Sequence, residues 1–295
     1  MVVTISAALV KDLRERTGAG MMECKKALEV TSGNIELAVQ ELRKLGRAKA
    51  DKKAGRIAAE GAVIIADDGK YAVMLEINSE TDFVARDSHF TSFIKAVAKT
   101  ALETKVHDVS GLAAAMLVGY PSQTVEEVRQ ELIVKVGENI QIRRLVASHS
   151  STVCIGTYLH GHRIGVIVEL DSDHQALAHD LAIHIAASKP LVVAPEHVPQ
   201  DVIAKERDIY LAQAATSGKP QDIIEKMVAG RLKKYLDEVS LIGQAFVKDL
   251  DMTVGGLLNK HRTKVLAFSR YEVGEGIEKS SAGFREVIIS QMQGS

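Results

Sequence analysis

The sequence has no tryptophan, two cysteines, five prolines and only twelve Phe plus Tyr in 295 residues. Each shortage narrows what the chain can be. Cys24 and Cys154 lie far apart and form no CxxC pair, so neither a disulfide framework nor a cysteine-based zinc site is expected. Both read instead as small buried hydrophobes in a reducing cytoplasm. With so few aromatics the core must be built from Val, Ile, Leu and Ala, and an aromatic that looks exposed carries weight. No run approaches the ~18 apolar residues of a spanning helix, and Met1–Ser6 lacks a basic region leading into an apolar stretch. Neither export nor membrane insertion is expected. Charge of one sign is missing too: 37 Lys plus Arg face 38 Asp plus Glu, so nothing global draws the chain to nucleic acid or to an acidic membrane. What remains, 46% apolar and 25% charged, is an ordinary globular composition at a length that suggests two or three domains.

Organisation emerges along the chain. Residues 1–56 carry 12 Lys or Arg against 7 Asp or Glu, a local net of +5, and form a separate electrostatic unit. Leu9 and Leu13, then Met21, Cys24 and Leu28, then Ile35, Ala38, Val39, Leu42 and Leu45 recur at helical spacing. Three short amphipathic helices follow, broken at Gly18-Ala19-Gly20 and at Ser32-Gly33-Asn34, with Asn34 as an N-cap. The basic run Arg47–Arg56, with Asp51 its one acid, reads as a solvated linker or helical tail. From Gly61 the period becomes that of strands: 62–66, the turn Asp67-Asp68-Gly69-Lys70, and 71–78 make a hairpin. A helix with Phe90, Phe93, Ile94 and Val97 on its apolar face comes next. Thr124 and Glu127 form a capping box for another helix, and 139–148 reads as a strand.

The same grammar returns about 93 residues later, with strands at 153–159 and 163–170 around His160-Gly161-His162 and a helix at 175–187. Glu76, Ser79 and Asp87 fall on Glu169, Ser172 and Asp180. An α+β protein with a duplicated core is the expectation. Long helical patterns at 201–216 and 221–239, joined by a short Gly-Pro connection, make an antiparallel helical hairpin. A strand at 265–271 and an amphipathic helix at 284–292 complete the reading. The expected domains are 1–56, the three-helix unit with its basic linker; 57–148, the first core subdomain; 149–190 with 240–272, the second; 191–239, the inserted hairpin; and 273–295, a C-terminal module.

Catalytic templates come back empty. No G-x-S-x-G, H-E-x-x-H, phosphate-binding G-x-x-x-x-G-K-[ST] or cysteine nucleophile context is present. The histidines His160, His162, His174, His179 and His184 show no recognised ligand spacing, and Gly274-Glu275-Gly276 is half of a dinucleotide fingerprint. No catalytic residue, no metal and no cofactor is expected. The unusual segment is Asn78-Ser79-Glu80-Thr81-Asp82-Phe83-Val84-Ala85, between a strand and a helix. One reading makes Ser79 or Thr81 an N-cap, Asp82 a carboxylate favourable to the helix dipole, and Phe83 a staple packed on the core. The other presents Phe83 outward on a rigid corner, as an anchor for another protein.

The segment Leu13 to Leu28, containing Thr17-Gly18-Ala19-Gly20-Met21-Met22-Glu23-Cys24-Lys25-Lys26, and the later Thr81-Asp82-Phe83-Val84-Ala85 resemble the two signatures of the bacterial translation elongation factor Ts family. His160-Gly161-His162-Arg163-Ile164-Gly165, Ile183 to Pro190, Gly230 to Lys234 and Tyr271 to Glu278 extend the resemblance over the whole chain. It implies a three-helix domain like a ubiquitin-associated domain, a duplicated α+β core, a coiled-coil hairpin and a C-terminal module. It also implies a cytoplasmic, non-enzymatic guanine-nucleotide exchange factor that binds elongation factor Tu in its GDP form and promotes GDP release by disturbing the magnesium and phosphate site. Asp82 and Phe83 would enter the partner's nucleotide-binding domain, Phe83 wedged between two helices, with Thr81 and Val84 completing the motif. Leu13, Gly18 and Met21 would brace that domain, and His160 and Gly161 would meet another. Neither nucleic acid nor membrane is implied as a partner; a homodimer or two-plus-two complex through the hairpin is left open. In the second repeat Gln175 and Ala176 stand where the first has Asp82 and Phe83, so one wedge per chain is expected.

Overall fold

The computed structural model describes residues 5–149, 154–216 and 220–278. It shows an α+β chain divided into two units: Met1–Ala66, Leu75–Val146 and Glu272–Ser295 in one, Asp67–Met74 and Ala147–Tyr271 in the other. The expected helix at 284–292 lies outside the described residues.

The first unit opens with three helices, α1 (Ala7–Thr17), α2 (Met21–Val30) and α3 (Ile35–Lys53). Ser6 caps α1 by accepting from Leu9 N, and Gly18 ends it at φ +68°, a left-handed turn that a residue without Cβ adopts freely. Asn34 caps α3 through Leu37 N at 3.0 Å. Val10, Leu13, Cys24, Ala27, Leu28 and Ala38 form the bundle's buried core, in which each large aliphatic side chain contributes roughly 1.5–3 kcal/mol. Burial pushes the Cys24 thiol pKa up, leaving it a protonated hydrophobe.

The basic run forms the last turns of α3 as far as Lys53, the helical tail of the sequence reading, and most of its residues are exposed. Lys49 pairs with Glu23, Lys53 donates to Gly137 O, and Arg56 lies 3.6 Å from Glu80. Gly46 is buried on the same helix, and a methyl there would make an ordinary 3.5 Å contact with Val134 Cγ2.

The first sheet is ordered β1-β2-β3, from β1 (Glu60–Asp67), β2 (Tyr71–Ser79) and β3 (Ile140–His149). Between β2 and β3 run α4 (Asp82–Ala85), α5 (Ser88–Thr104), α6 (Val109–Ala114) and α7 (Val125–Val136). The Thr124–Glu127 capping box is present at the start of α7. Phe90, Phe93, Ile94 and Val97 bury the expected face of α5.

In β2, Glu76 is fully buried. Arg143 and Arg144 reach it at 3.1 and 2.5 Å, Asn78 Nδ2 donates at 3.0 Å, and Gly274 N donates at 2.8 Å. Burial alone would raise its pKa; the hydrogen bonds from Gly274, Asn78 and Arg144 outweigh that and hold the carboxyl below its ordinary value.

The second unit repeats the plan. Its sheet, ordered β4-β5-β8, comprises β4 (Cys154–His160), β5 (Ile164–Leu170) and β8 (Val265–Glu272). β4 and β5 pair antiparallel from Cys154 opposite Leu170 to His160 opposite Ile164. α8 (Gln175–Ser188) packs so close to β4 that a Cβ on Gly156 would fall 2.4 Å from the backbone of Ala178. Only glycine fits there. The helical hairpin is α9 (Gln200–Ala215) and α10 (Gln221–Val239), with Ala214, Ile224 and Val228 buried between its arms.

After the hairpin come β6 (Ala245–Phe246), β7 (Asp249–Thr253) and α11 (Val254–His261), elements that sequence periodicity did not reveal. A fully buried His184 on α8 holds the residues on either side of β6: it donates from Nε2 to Gln244 Oε1 at 2.9 Å and accepts from Val247 N at Nδ1 at 3.2 Å. Burial lowers the His184 pKa more than the Gln244 bond raises it, which fits a neutral ring. Among the described residues, no helix is long and apolar enough to cross a membrane.

Candidate functional site

The segment singled out in the sequence forms a corner between β2 and α5. Ser79 Oγ donates to Thr81 O at 2.9 Å as the strand ends. Thr81, extended at φ −122°, caps the single turn α4 by accepting from Val84 N. Asp87 then stops that turn and starts α5, since its carboxylate accepts from His89 N at 2.8 Å and Phe90 N at 3.4 Å. The interruption decides where the aromatics go. Phe83 and Phe90 are seven positions apart and in one continuous helix would share a face. With the helix broken at Arg86–Asp87, Phe90 is fully buried while Phe83 is 82% exposed.

The capping half of the first sequence reading therefore holds, through Thr81, and the staple half does not: Phe83 packs on no core. Val84 is the residue of α4 that turns inward, at 9% exposure. Asp82 stands beside Phe83 on the outer side, its Oδ2 3.1 Å from Arg86. Thr81, Asp82, Phe83 and Val84 thus form one contiguous feature, an apolar ring and a carboxylate raised on a capped turn.

Four residues outside the candidate site hold this corner. Glu138, in the turn between α7 and β3, accepts from Thr81 N at 3.0 Å on one oxygen and from Thr81 Oγ1 at 2.7 Å on the other. In return Glu80 Oε1 accepts from Asn139 N at 2.6 Å. The buried Asn139 side chain donates to Arg56 O at 2.8 Å and Ala54 O at 3.4 Å, and the Arg56 guanidinium faces Glu80. For Glu138 and Asn139 the signal in the sequence is a polar Gly-Glu-Asn step between a helix and a strand.

The remaining candidates fall in different settings. Leu13 is fully buried in the bundle, so it shapes that surface without being part of it. Gly18 and Met21 line a cleft of about 1340 Å³ with Arg14, Met22, Lys26, Arg47, Tyr120 and Lys135. Met21 is half exposed. His160 and Gly161 belong to the other unit, at the β4–β5 turn, with Gly161 at φ +58° and His160 Nδ1 3.1 Å from the Tyr158 hydroxyl. The other histidines have separate tasks: His179 Nδ1 lies 3.0 Å from Thr157 O, His174 stacks edgewise on His261, and the buried His184 bonds Gln244 and Val247. Among the described residues, no three His, Cys, Asp or Glu side chains gather as a metal site.

Comparison with known proteins gives a single answer. A family model described as Elongation factor TS matches residues 80–275. Elongation factor Ts of Legionella pneumophila subsp. pneumophila (strain Philadelphia 1) is 56% identical over 292 residues, covering 98% of this chain and 99% of the relative. Elongation factor Ts of Thioalkalivibrio sulfidiphilus is 55% identical over 99% of this chain and 100% of the relative, and that of Methylococcus capsulatus 51% over the same shares. A family match across most of the chain, beginning at the corner itself, and near-full-length identity above one half lead to one conclusion: the chain belongs to the elongation factor Ts family of translation elongation factors.

Proposed function

We propose that this chain is a cytoplasmic guanine-nucleotide exchange factor for elongation factor Tu, binding the GDP form and promoting GDP release so that GTP can follow. The observation that carries the reading is Phe83, a large apolar ring 82% exposed on a capped and tethered turn, in a protein with very few aromatics. An exposed ring contributes little to its own fold. It becomes valuable when buried by a partner, where aromatic anchors dominate interface energetics. Family membership supports the identity of that partner.

The proposed mechanism is physical and involves no covalent chemistry, so the protein acts on a binding equilibrium and is not an enzyme. A GTPase holds GDP largely through a magnesium ion and a phosphate-cradling loop. Phe83 enters between helices of the nucleotide-binding domain, Asp82 meets its rim, and the magnesium and phosphate site is deformed. Linkage then fixes the outcome: whatever ratio this chain weakens GDP binding by, GDP weakens the chain's own binding by the same ratio.

Thr81 and Val84 act from beneath, one as cap and one as inward anchor. Gly18 and Met21 brace the same partner domain from the bundle, Leu13 supporting them from its core, and His160 and Gly161 meet a second partner domain. The five segments read from the sequence (1–56, 57–148, 149–190 with 240–272, 191–239 and 273–295) are the proposed domains. The helical hairpin, with Ile209 and Ile223 exposed, is the proposed contact between two copies; sedimentation velocity that gave only monomer at micromolar concentration would remove it.

The function is tested by stopped-flow release of fluorescent GDP from elongation factor Tu, with and without this chain. Acceleration that grows with the chain's concentration and shrinks with excess magnesium is expected. Unchanged release in the presence of folded protein would end the proposal.

A further inference from the structure

Phe83 is exposed, yet its corner is not loose, and the reason is a reciprocal exchange of carboxylates between two turns. The 79–82 turn sends Glu80 to the backbone of Asn139, and the 137–139 turn sends Glu138 to the backbone and hydroxyl of Thr81. Glu138 uses both oxygens on the residue that caps α4. Thr81 in turn uses its hydroxyl oxygen to hold Val84 N, so one side chain fixes the cap and the cap fixes the turn. Asn139, buried, carries the chain of bonds on to the carbonyls of Ala54 and Arg56 at the end of α3.

From this geometry, and resting on the exchange function proposed above, we propose that Glu138 is the positioning residue for the wedge, holding Thr81 so that Phe83 meets the partner in a fixed direction. Glu138 needs no contact with the nucleotide domain to act. Without it Thr81 loses two charge-assisted hydrogen bonds, α4 becomes one unsupported turn, and the ring must be ordered at the moment of binding. A four-residue helix has no stability of its own to fall back on. The ordering cost then falls on association, where a preorganised anchor would have avoided it.

The test combines two measurements on the full-length chain. Hydrogen exchange of the free protein reports the corner directly: in Glu138→Ala the amides of Thr81 to Ala85 should exchange about tenfold faster, with α5 and the bundle unchanged, and Glu138→Gln should fall between. GDP release reports the consequence. Glu138→Ala should lower exchange on elongation factor Tu about tenfold on the wild-type background, yet less than twofold when Phe83→Ala is already present, because a positioning residue has nothing left to position. Equal losses on both backgrounds, or unchanged protection of the corner amides, would overturn the proposal. Failure of the wild type to accelerate GDP release would instead overturn the exchange function, and the amide protection would still show whether Glu138 holds the corner.

Discussion

The two sheet-and-helix repeats differ most at one place, the step from the second strand into the helix. In the second repeat β5 leads through Asp171–His174 straight into α8, a continuous helix whose Leu177, Ala178, Leu181 and Ile185 are buried. Asp180, the counterpart of Asp87, lies inside that helix and accepts from Lys248 at 2.6 Å. In the first repeat Asp87 is an N-cap, so the same stretch of chain is cut into α4 and α5. The cut frees one turn to face outward, and the exposed position that is Ala176 in the second repeat is Phe83 in the first. One repeat therefore exposes an aromatic where its twin has an alanine. The buried titratable groups differ as well: a carboxylate locked by two arginines in the first repeat, a neutral imidazole in the second.

Four substitutions or conditions would break or sharpen this contrast. The largest effect belongs to Phe83→Ala, expected to lower exchange on elongation factor Tu by roughly 30-fold, the size of a ~2 kcal/mol interface anchor. Its thermal unfolding should stay within ~0.5 kcal/mol of wild type, as befits an exposed side chain; a large drop would return Phe83 to the core.

Next in size, Gly156→Val places a side chain where the backbone of Ala178 already lies 2.4 Å from an ideal Cβ. A loss of about 2–3 kcal/mol in chemical denaturation is expected in the second repeat, while GDP-release activity at low temperature changes far less.

A pH titration should separate the repeats. His184 has its pKa lowered from 6.5 by burial, so the unfolded chain takes up the proton first and stability falls as pH drops below about 6.5. The carboxyl of Glu76 is held below 4.5, so its contribution is present above that value and is lost only as pH falls beneath it. Hydrogen exchange should therefore show α8 and β6–β7 loosening in mildly acidic solution before β2 does. Simultaneous loosening would mean that the two groups do not set local stability. The smallest effect is that of Ala176→Phe: an aromatic on the continuous α8 should neither add exchange activity nor alter stability by more than ~0.5 kcal/mol.

Much of this was legible in the sequence, for identifiable reasons. Helical spacing gave the bundle, the Asn34 cap and the buried face of α5, because amphipathic period is a strong signal over ten residues or more. The 93-residue repeat was visible through Glu76, Ser79 and Asp87, although it aligned an N-cap with a helix interior at Asp180. The β6–β7 hairpin was missed because strands of two and five residues have too few alternations to register, and its anchor, His184, acts from sixty positions away. The contacts from Lys53 to Gly137 O and from Arg56 to Glu80 were not legible, because these partners are distant in sequence. The tether made by Glu138 and Asn139 was not legible for the same reason: a turn that holds another turn has no period.

The most direct test of the central claim is contact. A photo-crosslinking phenylalanine analogue would be placed at position 83, and separately at position 176, in the otherwise wild-type chain, and illuminated with elongation factor Tu in its GDP form. Strong crosslinking from position 83, to helices of the nucleotide-binding domain, and little from position 176 are expected. Equal crosslinking from both, or none from position 83 under conditions where the chain accelerates GDP release, would contradict that claim.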